Sequence, residues 1–248
     1  MSVTSRYRDA WEGFWAEVPD EPGAVFWDAE PALTASRHLA RYEPLVEDAG
    51  LTMVDLGCGN GTQTRFLADR FPAVLGLDLA DAAIDLARRQ QEKARPSRCS
   101  GLLSFRTFDA VDMESVARLH EEVGDCNVYV RGVLHQADPG DRQHLAEAVG
   151  VLVGERGRAF VVELTEVAGT RLAQLVSSPS GPPAKLLPVF RHGIVPGALP
   201  DEELIELFAR SGLSTLASGD LPLITTEYEL DGSRVELPSK WLVLGRPR

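Results

Sequence analysis

The segment Asp55-Leu-Gly-Cys-Gly-Asn-Gly61 constrains this chain more than any other stretch. An apolar run, Leu51-Thr-Met-Val54, leads into it and a helix-like segment, residues 62–70, follows. The pattern reads as a buried strand, a glycine turn and a helix. Three glycines at alternate positions remove side chains from the turn, so a ligand can lie against bare backbone. The helix start adds unpaired N–H groups that suit a polar or anionic group. A turn that binds nothing would leave the entropic cost of these glycines without a purpose.

Spacing and charge narrow the ligand. A dinucleotide fingerprint requires G-x-G-x-x-G. Here Gly57, Gly59 and Gly61 alternate, and Thr62 stands where the third glycine would be. Asp55 lies two positions before the first glycine. A carboxylate there repels pyrophosphate and favours a cationic group such as an α-amino or sulfonium centre. Residues 73–77 read as a second buried strand ending in Asp78, which lies 21 residues after Gly57. An acidic side chain at that remove accepts ribose hydroxyls and repels a ribose phosphate.

Val54-Asp-Leu-Gly-Cys-Gly-Asn-Gly61, with Asp78 as its second element, resembles the first motif of class I S-adenosylmethionine-dependent methyltransferases of the small-molecule type. The resemblance is specific over about residues 50–165 and general outside them. It implies S-adenosyl-L-methionine as cofactor and S-adenosyl-L-homocysteine as product. It implies that the backbone at Gly57, Gly59 and Gly61 faces the methionine part, with Asp55 near its positive charge and Asp78 on the ribose. Asp109 would reach the adenine amino group, Ala110 the ring nitrogen, and Leu79 would pack on the base. Asp109 also reads as a turn or helix-cap residue.

From Leu51 the chain alternates strands, at about 51–56, 73–78, 102–108, 126–133 and 158–164, with helices at about 62–71, 81–94, 112–122 and 141–154. This predicts an α/β fold, doubly wound around a mostly parallel sheet. Its ligand would sit at the carboxyl ends of the strands. The resemblance implies a Rossmann-like methyltransferase sheet of seven strands, finished by an antiparallel pair. Residues 213–223 and 240–244 are expected to form that pair, joined by a polar excursion containing Asp231-Gly232.

Residues 1–50 are read as an N-terminal helical cap or lid, and residues 51–248 as the cofactor-binding core. Tyr7, Trp11, Phe14, Trp15 and Val18 share one helical face, which either docks on the core or closes a pocket. A second helix is expected over 34–49, interrupted at Pro44 and capped by Gly50. A Pro- and Gly-rich substrate-side loop at about 165–200, holding a short helix at 169–176, precedes a helix that opens at Asp201-Glu-Glu203.

Transfer from an activated methyl donor needs alignment first and a base second. Val130-Arg-Gly-Val-Leu-His-Gln136 closes the fourth strand. His135 is the leading base candidate, the plain alternative being a histidine bonded to loop backbone. Gln136 would orient it or its partner. Arg131 either pairs with a carboxylate of substrate or donor, serving catalysis and cofactor binding together, or forms an internal ion pair with Asp55 or Glu163. His192 would enter the pocket when its loop closes. Glu163 and Glu166 are read as structural or substrate-orienting, and His38, His120 and His144 as surface residues.

Charge and cysteine usage bound the rest. With 25 basic and 37 acidic residues the net charge is −12, which opposes a nucleic-acid acceptor. No apolar run reaches membrane-spanning length and no leader pattern opens the chain. Cys58, Cys99 and Cys126 show neither a close pair nor a metal spacing. The expectation is a cytoplasmic enzyme with no recognisable metal-ligand cluster and no membrane partner, methylating oxygen or nitrogen of a small organic molecule such as a secondary metabolite, with oligomeric state and metal dependence open. The rival keeps the donor site for non-methylating chemistry such as cyclisation.

Overall fold

The computed structural model describes residues 5–94, 102–178 and 181–247. Cys99 and the Pro179-Ser180 part of the Pro/Gly loop lie outside the described residues. Two helices precede the sheet: α1 (Ser5–Glu17) and α2 (Ala35–Tyr42). The alternation then runs β1 (Met53–Leu56), α3 (Thr62–Leu67), β2 (Ala73–Asp78), α4 (Asp81–Lys93), β3 (Leu102–Thr107), α5 (Met113–Val123), β4 (Asn127–Arg131), α6 (Arg142–Val153) and β5 (Ala159–Leu164). Three helices follow: α7 (Glu166–Val176), α8 (Leu187–Arg191) and α9 (Asp201–Arg210). The chain closes with β6 (Ser214–Asp220), β7 (Leu223–Tyr228), β8 (Arg234–Leu237) and β9 (Ser239–Gly245).

The main sheet has seven strands in the order β3-β2-β1-β4-β5-β9-β6. The first five pair in parallel, and β9 runs antiparallel to β5 and β6. This is the doubly wound arrangement that the alternation predicts. β1 is buried along its whole length, as a central strand covered on both faces must be. On one face Val54, Leu56, Leu75 and Leu77 pack with Val116, Leu152 and Phe208 of α5, α6 and α9. On the other, Met53, Tyr129 and Phe160 pack with Leu39 and Leu67 of α2 and α3. Each such side chain contributes about 1.5–3 kcal/mol when fully buried. The order reverses between β1 and β4, so a crevice opens beyond their carboxyl ends.

Five sequence expectations are corrected here. The helix expected over 34–49 stops at Tyr42, and Glu43–Leu45 form one 3-10 turn with Pro44 in its first positions. Gly50 caps no helix, and its N–H bonds to Asp48 Oδ1 at 2.9 Å. The strand expected over 213–223 ends at Asp220, because Pro222 has no N–H to continue a ladder. The excursion through Asp231-Gly232 is the tip of a separate hairpin, β7–β8. His38, expected on the surface, is buried. Its imidazole stacks on Phe160 and its Nδ1 lies 2.6 Å from the Tyr129 hydroxyl. Burial pushes its pKa down to about 3.

The β7–β8 hairpin builds a second apolar cluster over the strand ends. Leu223, Val235 and Leu237 pack with Phe14, Trp15, Val25 and Phe26 from the N-terminal segment and with Leu186 and Val189. Thr226 N donates to Phe26 O at 2.8 Å, tying hairpin to cap. α1 packs on α4 and α8, and Glu12 of α1 accepts from Ala82 N at the start of α4, where a carboxylate meets the positive end of a helix. Among the described residues no helix is long and apolar enough to cross a membrane.

Candidate active site

A cavity of about 490 Å³ lies over the carboxyl ends of β1, β2, β4 and β5. Its floor is the glycine turn. Gly57, Gly59 and Gly61 all have positive φ, between 52° and 76°, which only glycine adopts without strain. The space of their missing side chains belongs to the protein, not to a ligand. A Cβ on Gly57 would strike Val133, one on Gly59 would strike Trp15, and one on Gly61 would strike Phe105. The turn also spends its donors internally. Gly57 and Cys58 N–H both bond to Leu77 O, Gly61 N–H to Cys58 O, and Thr62 N–H to Asn60 Oδ1. The open anion nest expected at this helix start is therefore absent from these groups, a further argument against a pyrophosphate ligand.

Asp78 stands at the tip of β2 and lines the cavity. Gly59 N–H donates to its Oδ2 at 2.8 Å and Ala80 N–H to its Oδ1 at 3.0 Å. Each oxygen keeps a lone pair for a further donor. Burial raises its pKa to about 6 against those bonds. Leu79, Phe108, Asp109, Ala110 and Val111 continue the lining from the ends of β2 and β3. Asp109 is engaged from the cap: Arg8 Nη2 donates to Asp109 Oδ2 at 2.9 Å, and Arg8 Nη1 to Leu79 O at 3.2 Å. Its Oδ1 accepts from Val111 N–H at 3.0 Å, the turn role that the sequence also allows.

His135 reaches the same cavity from the 3-10 turn after β4. Glu163, buried at the end of β5, accepts from Val133, Leu134 and His135 N–H. Its Oε2 lies 2.5 Å from His135 Nδ1. Since Glu163 already accepts three backbone bonds, the imidazole gives it the Nδ1 proton, and Nε2 carries the lone pair. Gln136 Nε2 lies 3.0 Å from that Nε2. The arrangement sets a carboxylate behind an imidazole, the orientation found where a histidine can act as a base.

Arg131 lines the cavity but serves the protein. It donates to Trp27 O at 2.7 Å and pairs with Asp28 Oδ1 at 3.4 Å. The internal partner is thus Asp28, not Asp55 or Glu163. Asp28 in turn accepts from Asn60 and Gln63, so a buried polar network ties the cap to the glycine turn.

Three expected site residues are not brought to the cavity lining. Asp55 is buried beneath the turn, where Thr64 Oγ1 donates to it at 2.6 Å, and burial raises its pKa to about 6. It braces α3 against β1 and offers no surface to a ligand. Gly61 faces Phe105 and Ala87 in the interior. His192 lies against Gly13, with Nε2 3.1 Å from Glu17, and pins α8 to α1. Conversely, Tyr7, Trp11 and Trp15 of α1 line the cavity while Phe14 and Trp15 are core residues, so the aromatic face both docks and covers. The Tyr7 hydroxyl, whose pKa burial raises, is a polar cavity group read in the sequence only as part of an apolar stripe. Asp28 carried no sequence signal, because its partners are remote in the chain.

Known proteins share this architecture. A family profile described as a methyltransferase domain matches residues 53–154. The solved structure of an S-adenosylmethionine-dependent methyltransferase from Anabaena variabilis ATCC 29413 is 30% identical, with a TM-score of 0.86 over 100% of this chain and 98% of that one. A trans-aconitate 2-methyltransferase from Acidovorax ebreus (strain TPSY) is 39% identical over 72 residues, 25% of this chain and 28% of the relative. A ubiquinone biosynthesis O-methyltransferase from Methylobacterium sp. (strain 4-46) is 32% identical over 114 residues, 43% of this chain and 45% of the relative. The chain thus spans less than half the length of the curated relatives it matches.

Proposed function

This chain belongs to the S-adenosylmethionine-dependent methyltransferases, and from that membership we propose that it methylates oxygen or nitrogen of a small organic acceptor. The observation that carries the reading is His135, backed by the buried Glu163, lining the same cavity as Asp78. A base and a carboxylate suited to ribose hydroxyls lining one cavity fit a donor and an acceptor held side by side.

The residues present fit the cofactor. Asp78, held rigid by two backbone N–H groups with lone pairs to spare, suits the two ribose hydroxyls. Leu79, Phe108, Ala110 and Val111 offer an apolar slot for the base, with Asp109 at its edge. Gly57 and Gly59 would run beside the methionine part. When bound, S-adenosylmethionine supplies the methyl group, its C–S bond breaking as the acceptor's new bond forms and the electron pair staying on sulfur. His135 takes the acceptor's proton at Nε2, and Glu163 holds the ring in that tautomer and stabilises the charge it gains. α1 excludes water by covering the cavity with Trp11 and Trp15.

The net charge of −12 supports a small molecule over a nucleic acid. Cys58 and Cys126 are free thiols, which suits a reducing cytoplasm, and the enclosed site suits a secondary metabolite. The test is mass spectrometry of the purified protein for carried-over S-adenosylhomocysteine, then acceptor mass gain for wild type and His135→Asn. The expected result is a turnover loss of about 10²–10⁴-fold in the variant, with donor affinity within twofold. A variant that turns over at the wild-type rate would remove His135 from the chemistry.

A further inference from the structure

Resting on the methyl-transfer reading, we propose that the acceptor is an uncharged, largely apolar molecule that presents a weakly acidic hydroxyl to His135, and that carboxylate acceptors are excluded. The wall of the cavity beyond the donor residues is built by α7, α8 and the β7–β8 hairpin. Leu172, Val176, Val189, Phe190, Leu223 and Leu237 represent it. Among the described residues after Glu163 that line the cavity, none is charged and Ser177 alone has a polar side chain. An apolar acceptor body gains there what its own burial in water-free surroundings provides, about 25 cal/mol per Å².

Charge decides against an anionic acceptor. Arg131 is the one guanidinium among the described lining residues, and its bonds go to Trp27 O and to Asp28. The other charged lining side chains are the carboxylates Asp28, Asp78, Asp109 and Asp141. A carboxylate entering this space would be desolvated among like charges, with the one lining guanidinium already paired to Asp28. The trans-aconitate methyltransferases, to which this chain is similar over 71–72 residues, are named for an acceptor that this wall cannot neutralise.

The polar end favours a hydroxyl. An uncharged amine attacks before it loses a proton, whereas a hydroxyl needs a base, and Glu163 makes four bonds to set one up. Gln136 lines the cavity beside His135, and its Oε1 is buried with no donor among the described residues. An acceptor O–H or its substituent can supply that donor. As the acceptor hydroxyl displaces the Gln136 amide N–H from His135 Nε2, its proton passes to that nitrogen, the oxygen gains the methyl group, and an uncharged ether results.

The test uses the full chain with saturating S-adenosylhomocysteine. Calorimetry compares 4-alkylphenols, ethyl to octyl, with the matching 4-alkylbenzoates and with trans-aconitate at pH 8, and turnover with S-adenosylmethionine is followed for each. The phenols are expected to bind at least about tenfold tighter than their benzoates and to yield methyl ethers. Equal or tighter binding of the benzoates or trans-aconitate, or no binding by any phenol to protein that binds S-adenosylhomocysteine, overturns the proposal. Leu172→Arg places a cation in the wall and should cut the phenol preference about tenfold while donor affinity stays. An unchanged preference overturns it. Phenol binding with neither ether nor S-adenosylhomocysteine formed would sustain the acceptor preference and defeat the methyl-transfer reading instead.

Discussion

The two ends of the cavity are built in opposite ways. At the donor end, backbone does the work: Gly59 and Ala80 N–H hold Asp78, and Leu77 O takes two N–H groups of the glycine turn. At the acceptor end, side chains from segments far apart meet as an apolar shell, with α1 and Phe26 from the start of the chain and the β7–β8 hairpin from its close. A backbone-held site accepts one ligand shape and tolerates little change in sequence. A shell of apolar side chains keeps its fold when their identities change, because volume-conserving apolar swaps are tolerated best. On the proposed reading, the donor end would fix the chemistry and the acceptor end would be free to vary the substrate.

The contrast can be broken at several points. The largest effect is expected at Asp78. Asp78→Ala should weaken S-adenosylhomocysteine binding about 100-fold or more, as two charge-assisted hydrogen bonds of ~1.5–3 kcal/mol are lost. Acceptor affinity should change far less, and a comparable loss at both ends would mean that the ends are not separate. In wild type, donor affinity measured by calorimetry should fall as pH drops through about 6, where Asp78 takes a proton.

A middle-sized effect concerns stability. Burial makes the folded chain hold protons on Asp55 and Asp78 more tightly than the unfolded chain does. The folded pKa is raised, so the contribution of each is most favourable at acid pH and is lost as pH climbs from about 4 to about 6. Asp55→Asn keeps an acceptor for Thr64 and removes this loss. Relative to wild type it should gain about 1–3 kcal/mol between pH 4 and pH 7, or roughly 2–10 °C in Tm. An offset between the two melting curves that is the same at both pH values would show that the buried carboxyl is not titrating.

The smallest effect is expected at the latch between cap and donor end. Arg8 is partly exposed, and such pairs are weak. Arg8→Ala should loosen donor binding about two- to fivefold, chiefly through faster dissociation in stopped-flow measurements, and leave Tm almost unchanged. No change in dissociation would mean that α1 is fixed over the donor by its aromatic face alone.

The same contrast explains what the sequence disclosed. The donor end was legible because strand, turn, helix and Asp78 lie within one contiguous βαβ unit whose spacing is set by local geometry. His135 was legible as a candidate for the same reason, at the end of β4. Glu163 behind it was weighed, but its four bonds required the register between β4 and β5 to be seen. Asp55 misled, since a carboxylate beside a glycine turn reads the same in sequence whether it faces a ligand or, as here, Thr64. Gly61 misled because its missing side chain makes room for Phe105, a residue 44 positions away. The β7–β8 hairpin was hidden by its polar tip and by Pro222, which made one long strand and a loop out of two pairs. His192 was placed by Gly13 and Glu17, contacts that no periodicity announces.

The most direct test is a crystal structure of the protein grown with S-adenosylhomocysteine. The adenosine is expected between Asp78 and the Leu79–Ala110 slot, with the ribose hydroxyls within hydrogen-bond distance of the Asp78 carboxylate and the sulfur turned toward His135 and the apolar shell. Density for the nucleoside among Leu172, Val189 and Leu223, with Asp78 untouched, would contradict this placement.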